Sequence, residues 1–483
     1  LGKDAEEVSR TKHFSMDEFF NSKEFKEKLS KYEEAKQKGF SVFLDSDDLA
    51  TIAEYYHIQH RDDEAQKVCD EAISIFPHSL RPLVFKARVE LILHKDPNKA
   101  EMYLEQIEDT NDLDYYYLYA EILLFRGKNK EAEEYLEDAY DHLEDEDDRA
   151  DFVLDVSLLM CDYYQMNYAQ HWLSLSNEPD QVDYQEAKGR IALYNGHYEE
   201  SEKIFNQLLD KDPYSSPYWN TLATSQFLRN DIHDSIESSE YSIAINPNDD
   251  EALLNKANGL FTLGKYEEAL SYYERYTAVG NHGLGLAFQA VAHMAMKQYP
   301  LARRQLEQAI DELSAVDDNL YEVTRQLCLC LNSMRLSDEA QLRANTMFTM
   351  PNVECWQVYV FKAYLYLLSS RITEAQICFN KAIIMSQSTT RVLIAICMVL
   401  HDCEQWGYAY SIHKYILHTT DEDIQSGFAY LADDCLHLND MDGYRKYLKL
   451  ACNFDPDEVE NVFGEKIPEN VRPEDYWKIV CNE

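Results

Sequence analysis

The sequence predicts an all-α fold, a right-handed α-solenoid (superhelix) of about twelve helix-turn-helix repeats. Three observations lead there. The first is a recurrent pattern. Gly189, Gly196, Tyr198, Phe205 and Pro213 stand in one copy, and Trp219, Leu222, Ala223 and Pro247 stand in the next, with the two prolines 34 residues apart. A third copy reads Asp250-Glu251-Ala252-Leu253, then Ala257, Gly264, Tyr266, Ala269 and Tyr273. A fixed period of this size means stacked helix pairs, each too small to bury its apolar face alone. The second observation is that no period-2 run of strand length with hairpin turns occurs. The third is that 483 residues pass without a Pro/Gly/Ser-rich linker or a low-complexity tract. That suits a stack whose units touch only their neighbours better than a set of separate globules.

Taken in order, residues 1–45 read as a polar segment and a capping helix. Ser15 caps and Glu18 completes a capping box. Phe19, Phe20, Phe25, Leu29 and Tyr32 follow at near-helical spacing to about Lys38, which suits a helix covering the apolar end of the first repeat. Residues 46–458 form the solenoid. Its first copy, opened by Ser46-Asp47-Asp48, has Ala53, Ala65, Ala72 and Pro77. The second has Ala87 and Ala100, with a residue inserted around Asp96-Pro97, and the third has Ala120, Gly127, Ala132 and Ala139. The acidic run 144–148 reads as a solvated loop or an N-cap. Copy four is degenerate, with Ser157 and Ala169; copies five to seven are those quoted above. Ala290, Ala302 and Ala309 mark the eighth, Cys328 and Ala340 the ninth, and Ala363, Ala375, Phe379 and Ala382 the tenth. Cys397 and Ala409 mark a weak eleventh, and Ala432, Ala451 and Pro456 the twelfth. Residues 459–483 read as a C-terminal capping segment, broken by Gly464, Pro468 and Pro473, whose Tyr476-Trp477 can pack back on the last repeat.

In residues and spacing these copies resemble the tetratricopeptide repeat family over roughly 85% of the chain. The family pattern has small residues at repeat positions 8, 20 and 27, aromatics near 4 and 24, and Pro at 32. Small residues let the two helices of a pair approach, large ones fill the gap to the next pair, and Pro stops the second helix. The resemblance implies a non-catalytic protein-binding scaffold that takes an extended or helical polypeptide in a concave groove lined by the first helix of each pair. Carried onto this chain, the inward positions of the third copy are Asp114, Tyr117, Glu121, Leu124 and Phe125. In the fifth they are Asp183, Glu186, Arg190, Leu193 and Tyr194, and in the sixth and seventh they include Asn220, Thr224, Phe227, Leu254, Asn258 and Phe261. Acids, amides and aromatics in this mix suit a basic or polar peptide held by main-chain contacts and stacking. The two-carboxylate clamp by which some family members grip chaperone tails is not matched. Copy seven supplies Asn255 and Asn258, but Leu254, Leu284 and Phe288 stand where basic residues are needed.

Composition narrows the partner. The net charge is −43, and residues 101–200 contribute 27 acidic against 6 basic residues. A chain this acidic repels phosphate backbones and anionic lipid surfaces, so direct nucleic-acid binding is disfavoured and a basic protein partner is favoured. Solubility alone is the plainer use of such charge. No run of 18 apolar residues suggests a membrane span. Eleven scattered Cys, an odd number without framework spacing, read as free thiols in a reducing compartment, which predicts a cytoplasmic protein. The start, Leu1-Gly2-Lys3-Asp4, has no signal core and no initiator Met, as in a chain that begins downstream of a removed segment. His401-Asp402-Cys403 and Cys435-Leu436-His437 lack a second ligand pair at zinc spacing, so no metal is expected, and no cofactor or catalytic motif stands out. Two other readings compete with the scaffold: a peptide-responsive sensor, and a non-catalytic subunit or fragment of a larger enzyme or secretion assembly. The oligomeric state is not set by the sequence.

Overall fold

A computed structural model describes residues 20, 22–38, 44–59, 61–280, 282–313, 317, 319–386, 389–419, 427–468 and 471–482. These contain 27 α-helices and no strand. They fall into two compact units, residues 1–280 and 281–483. In the first unit, α1 (Lys23–Lys38) precedes seven helix pairs: α2 (Ser46–Ile58) with α3 (Asp62–Ile75), α4 (Leu80–Ile92) with α5 (Pro97–Leu104), α6 (Leu113–Phe125) with α7 (Asn129–His142), α8 (Glu146–Asp162) with α9 (Met166–Leu175), α10 (Val182–Tyr194) with α11 (Tyr198–Lys211), α12 (Ser216–Leu228) with α13 (Ile232–Ile245), and α14 (Asp250–Thr262) with α15 (Tyr266–Val279). The second unit has five pairs: α16 (His282–Ala295) with α17 (Tyr299–Glu312), α18 (Leu320–Ser333) with α19 (Ser337–Ala344), α20 (Cys355–Leu368) with α21 (Ile372–Met385), α22 (Thr389–Asp402) with α23 (Trp406–Thr419), and α24 (Phe428–His437) with α25 (Met441–Phe454). Two short helices, α26 (Pro456–Phe463) and α27 (Tyr476–Asn482), follow.

One turn geometry joins the two helices of ten pairs. The first helix ends in a left-handed residue: Gly127, Tyr164, Gly196, Asn230, Gly264, Lys297, Arg335, Ser370, Glu404 or Asn439. Its N–H and the next one fold back onto the last turn, as when Gly264 N–H donates to Phe261 O and Lys265 N–H to Leu260 O. This satisfies carbonyls that the helix end would otherwise leave unpaired. Only three of these ten positions carry glycine, although the left-handed region is open to it without penalty. The inserted residue of the second copy shifts this turn: Lys95 is left-handed there, and Asp96 caps α5.

The small positions bring the helices of each pair together. In α8 and α9 the Ser157 hydroxyl donates to Ala169 O at 2.9 Å; in α12 and α13 Ser235 donates to Ala223 O at 2.7 Å. Cys397 Sγ does the same toward Ala409 O at 3.6 Å. Each of these pairs is separated by 12 residues, so a side chain at repeat position 8 or 20 reaches the backbone opposite. The register thus holds in the degenerate fourth and eleventh copies. Gly189 allows a close approach, since a Cβ there would lie 2.7 Å from the Phe205 ring. Ala257 and Ala269 are both fully buried between α14 and α15.

The first pair of the first unit and the last pair of the second unit are each covered on one side. Phe20, Phe25 and Tyr32 are buried with Leu49, Ile52 and Tyr56 of the first pair, and the Phe20 and Phe25 rings lie 4.9 Å apart. The Ser15–Glu18 capping box lies outside the described residues. At the other end Phe463 and Tyr476 are buried against Tyr444 and Leu448 of α25. Asp145, within the acidic run, N-caps α8 by accepting from the N–H groups of Asp147 and Asp148. The buried Glu458 of α26 accepts from the N–H groups of Gly427 and Ala429 at the start of α24. No described helix is long and apolar enough to cross a membrane. Among the described residues ten Cys form no disulfide, and eight of them are buried.

Candidate functional site

Within the first unit, first helices pack on one another: α2 on α4, α4 on α6, α6 on α8, α8 on α10, and α12 on α14. Second helices pack mainly on their own partner and on the next first helix. The first helices therefore form one side of the stack, and the twelve candidate ligand residues all lie on them.

Much of that side is taken up by a ladder of polar contacts between repeats. Arg81 Nη2 of α4 is 2.9 Å from Glu54 of α2. Arg88 Nε of α4 is 3.2 Å from Glu121 Oε2 of α6, with both side chains buried. The Tyr117 hydroxyl donates to Asp155 of α8 at 2.9 Å while its ring stacks on Phe152. Arg190 Nη2 of α10 meets Asp162 of α8 at 2.6 Å, and Glu186 accepts from the Tyr218 hydroxyl of α12 at 3.1 Å. Asn220 is buried and donates to both carboxylate oxygens of Asp249. Asn258 accepts from the Tyr273 hydroxyl at 2.8 Å.

The ladder perturbs its members. Burial, followed by the Asp155 carboxylate, pushes the Tyr117 phenol well above its ordinary value. Burial and the Glu186 carboxylate do the same to Tyr218. Burial works against the charge on Arg88, but the Glu121 and Asp114 carboxylates more than reverse this and raise its pKa. Arg88 Nη2 is a buried donor without an acceptor.

Glu121, expected among the residues that line an open groove, is instead an internal group. Its side chain is 3% exposed and serves as the counterion of a buried arginine one repeat back. Asn220 is likewise an internal group. Asp114 and Glu186 are half-buried and Asp183 is exposed. Phe125 and Tyr194, at the ends of α6 and α10, expose much of their rings, Tyr194 at 61%. Phe227 is half-buried, as is Phe261, which lies 5.1 Å from the Tyr266 ring. The open part of this side is therefore Asp114, Asp183 and Glu186 among Phe125, Tyr194, Phe227 and Phe261. Tyr115, Tyr116 and Tyr117, consecutive in α6, are all half-buried. The sequence reading missed Arg88, Asp155 and Asp162; opposite charges spaced 33 residues apart, as in Arg88 and Glu121, are the signal that would have found the ladder.

Among the described residues one group could hold a cation. Glu133, Glu137 and His171 bring one ligand atom each within 4.8 Å of one another. Glu133 already accepts from the Trp172 indole at 2.8 Å. Of the metal-like sequence triplets, His401 Nδ1 lies 2.9 Å from Asp434 and the His437 ring stacks on Trp406.

A family model described as tetratricopeptide repeat matches residues 250–279, the α14–α15 pair. A DnaJ homolog subfamily C member 7 homolog of Schizosaccharomyces pombe is 26% identical over 181 residues, which is 34% of this chain and 38% of that relative's length. The match thus spans well under half of that relative. Among solved structures, a tetratricopeptide repeat protein from Parabacteroides merdae is 16% identical, with a TM-score of 0.39, over 52% of this chain and 97% of its own. The Cut9-Hcn1 hetero-tetramer of the APC/C is 13% identical, with a TM-score of 0.37, over 90% of this chain and 98% of its own.

Proposed function

We propose that this chain, a tetratricopeptide repeat protein by its paired helices and the match over residues 250–279, is a non-catalytic scaffold that holds an extended or helical polypeptide with a basic segment on the first helices of copies three to seven. Proteins of this repeat class generally act in protein–protein interaction. The observation that carries the finer reading is the coincidence of charge and open surface. Residues 101–200 carry about half of the net charge, and Asp114, Asp183 and Glu186 stand on the first-helix side beside Phe125 and Tyr194. Carboxylates draw in lysine and arginine from solution, and exposed aromatics supply contact area and cation–π faces. Glu121, Tyr117, Arg190, Asn220 and Asn258 belong to this surface as its rigid backing, since each is tied to a neighbouring helix.

Asp114→Asn, Asp183→Asn and Glu186→Gln combined in one chain test the reading. Affinity capture from host lysate with the wild-type and triple-variant proteins, compared by quantitative mass spectrometry, should identify partners with Lys/Arg-rich segments that the variant loses. Retention of the same partners by the variant at equal abundance would sink the proposal. A cytoplasmic setting is supported by the ten free thiols.

A further inference from the structure

The second unit carries a face of a different character from the acidic first unit. Helix α21 buries Ala375, Cys378 and Ala382 against α20 and turns the opposite side outward. On that side Ile377 is 50% exposed and Ile384 79%, and Ile372, Ile383 and Met385 flank them. Thr373, Ile377, Asn380 and Ile384 stand at i, i+4, i+7 and i+11, a single seam along the helix. The equivalent face of the next second helix, α23, exposes Tyr408 and Tyr415, each 35 residues beyond Thr373 and Asn380. Large apolar side chains grouped in the open on one helix face mark interaction sites.

Charge decides what covers it. Across residues 337–419 the chain has six acidic and six basic residues and is electrically neutral, within a protein of net charge −43. This is where the like-charge repulsion that separates two copies elsewhere is absent. A strongly basic or acidic partner gains nothing here over other surfaces. The two charges that border the seam, Glu374 and Lys381, are opposite in sign, seven residues apart and on the same flank, so the face is complementary to itself. Placed antiparallel about a twofold axis, Ile377 meets the Ile377–Asn380 stretch of the second helix and Glu374 comes alongside the second copy's Lys381. An isologous contact has this property by symmetry. We propose that the outer face of α21 is a self-association surface on which a second copy of this chain docks with α21 antiparallel to α21.

The test uses the full chain. Sedimentation velocity at about 50 μM, above the micromolar range of weak specific dimers, should give twice the chain mass of 56.5 kDa. Ile377→Glu with Ile384→Glu should give the single-chain mass with an unchanged helical spectrum, weakening association by about 100-fold or more, as loss of a central apolar anchor does. Glu374→Lys alone and Lys381→Glu alone should each weaken self-association by about 3- to 10-fold, because two symmetric exposed pairs become repulsive. Mixing those two variants should restore a heterodimer, since each then presents the charge the other lacks. Glu374 also receives Arg371 of its own copy at 2.9 Å, which is why the mixture is read against each variant alone. A wild-type protein that stays monomeric, or a dimer that survives the double isoleucine change, overturns the proposal. A dimer whose charge variants fail to complement each other overturns the antiparallel arrangement.

Discussion

Replacing Glu121 with Gln removes the counterion of Arg88 while keeping nearly the same volume. Both side chains are about 4% exposed and the Nε–Oε2 distance is 3.2 Å. Arg88 already leaves Nη2 without an acceptor, and Glu121 is the carboxylate hydrogen-bonded to it, with Asp114 adding to the attraction. Breaking a buried pair by removing one partner costs about 3–5 kcal/mol, because the remaining buried charge loses its hydrogen-bonded counterion. The loss should concentrate in α4 and α6, since each pair of a repeat stack depends mainly on its neighbours. Amide hydrogen exchange read by mass spectrometry is the suitable assay. Opening of α4–α6 should rise by two orders of magnitude or more, and exchange in the second unit should stay as it was. Adding Arg88→Met to a Glu121→Leu chain should recover most of the loss, as apolar pairs of similar volume often replace buried ion pairs without penalty. If Glu121→Gln leaves exchange in α4–α6 unchanged, the carboxylate is free in solution and its assignment as an internal group is wrong.

Three further outcomes are expected. Gly264→Ala places a Cβ in the left-handed region where nothing lies within 4 Å, so its cost of about 1–2 kcal/mol is purely conformational; Glu404→Gly at the equivalent turn, φ 58°, should be neutral or stabilising by up to about 1 kcal/mol. Equal melting temperatures for Gly264→Ala and wild type would contradict the turn assignment. His401 is pulled down by burial but raised more by Asp434, Asp433 and Asp402, so its folded pKa lies above the ordinary value. Its contribution is fully present below about pH 6.5 and fades as pH rises through the raised folded value; denaturant midpoints between pH 6 and 9 should therefore fall in the wild type relative to His401→Gln, and parallel curves would refute this. A thiol reagent applied without prior reduction should modify the exposed Cys355 first, and the buried Cys328, pushed up to about 12 by burial, only after unfolding; rapid reaction of Cys328 in the native protein would show that the α18 packing is open.

The fold was legible where close approach dictates residue type. Ala257 and Ala269 announce a tight pair, and so do Ser157 with Ala169 and Cys397 with Ala409, because a hydroxyl or thiol fits where a methyl does and gains a carbonyl acceptor. The turns were less visible. Gly127, Gly196 and Gly264 mark three of them, but Tyr164, Lys297, Arg335 and Glu404 take the same left-handed conformation without a sequence signal, held there by the helix-end hydrogen bonds. The site was legible only in part. Repeat position shows that Glu121 and Asp183 lie on first helices, but not that Arg88 comes from the preceding repeat to bury the former while the latter stays exposed. The seam on α21 was hidden for a related reason: repeat position marks Ala375 and Ala382 as packing residues, but not that Ile377 and Ile384 stay exposed on the opposite side.

The proposed binding face is tested most directly by site-specific photocrosslinking. A photoreactive phenylalanine in place of Tyr194, on the first-helix side, is compared with one in place of Tyr214, which is 79% exposed in the loop between α11 and α12. In host extract the probe at Tyr194 should capture a partner through a Lys/Arg-rich segment. Capture should diminish at high salt, as attraction between exposed charges is screened, and in the Asp114→Asn/Asp183→Asn/Glu186→Gln chain. Capture at Tyr214 and not at Tyr194, or capture at Tyr194 that ignores both salt and the triple change, would contradict an acidic peptide-binding face on the first helices.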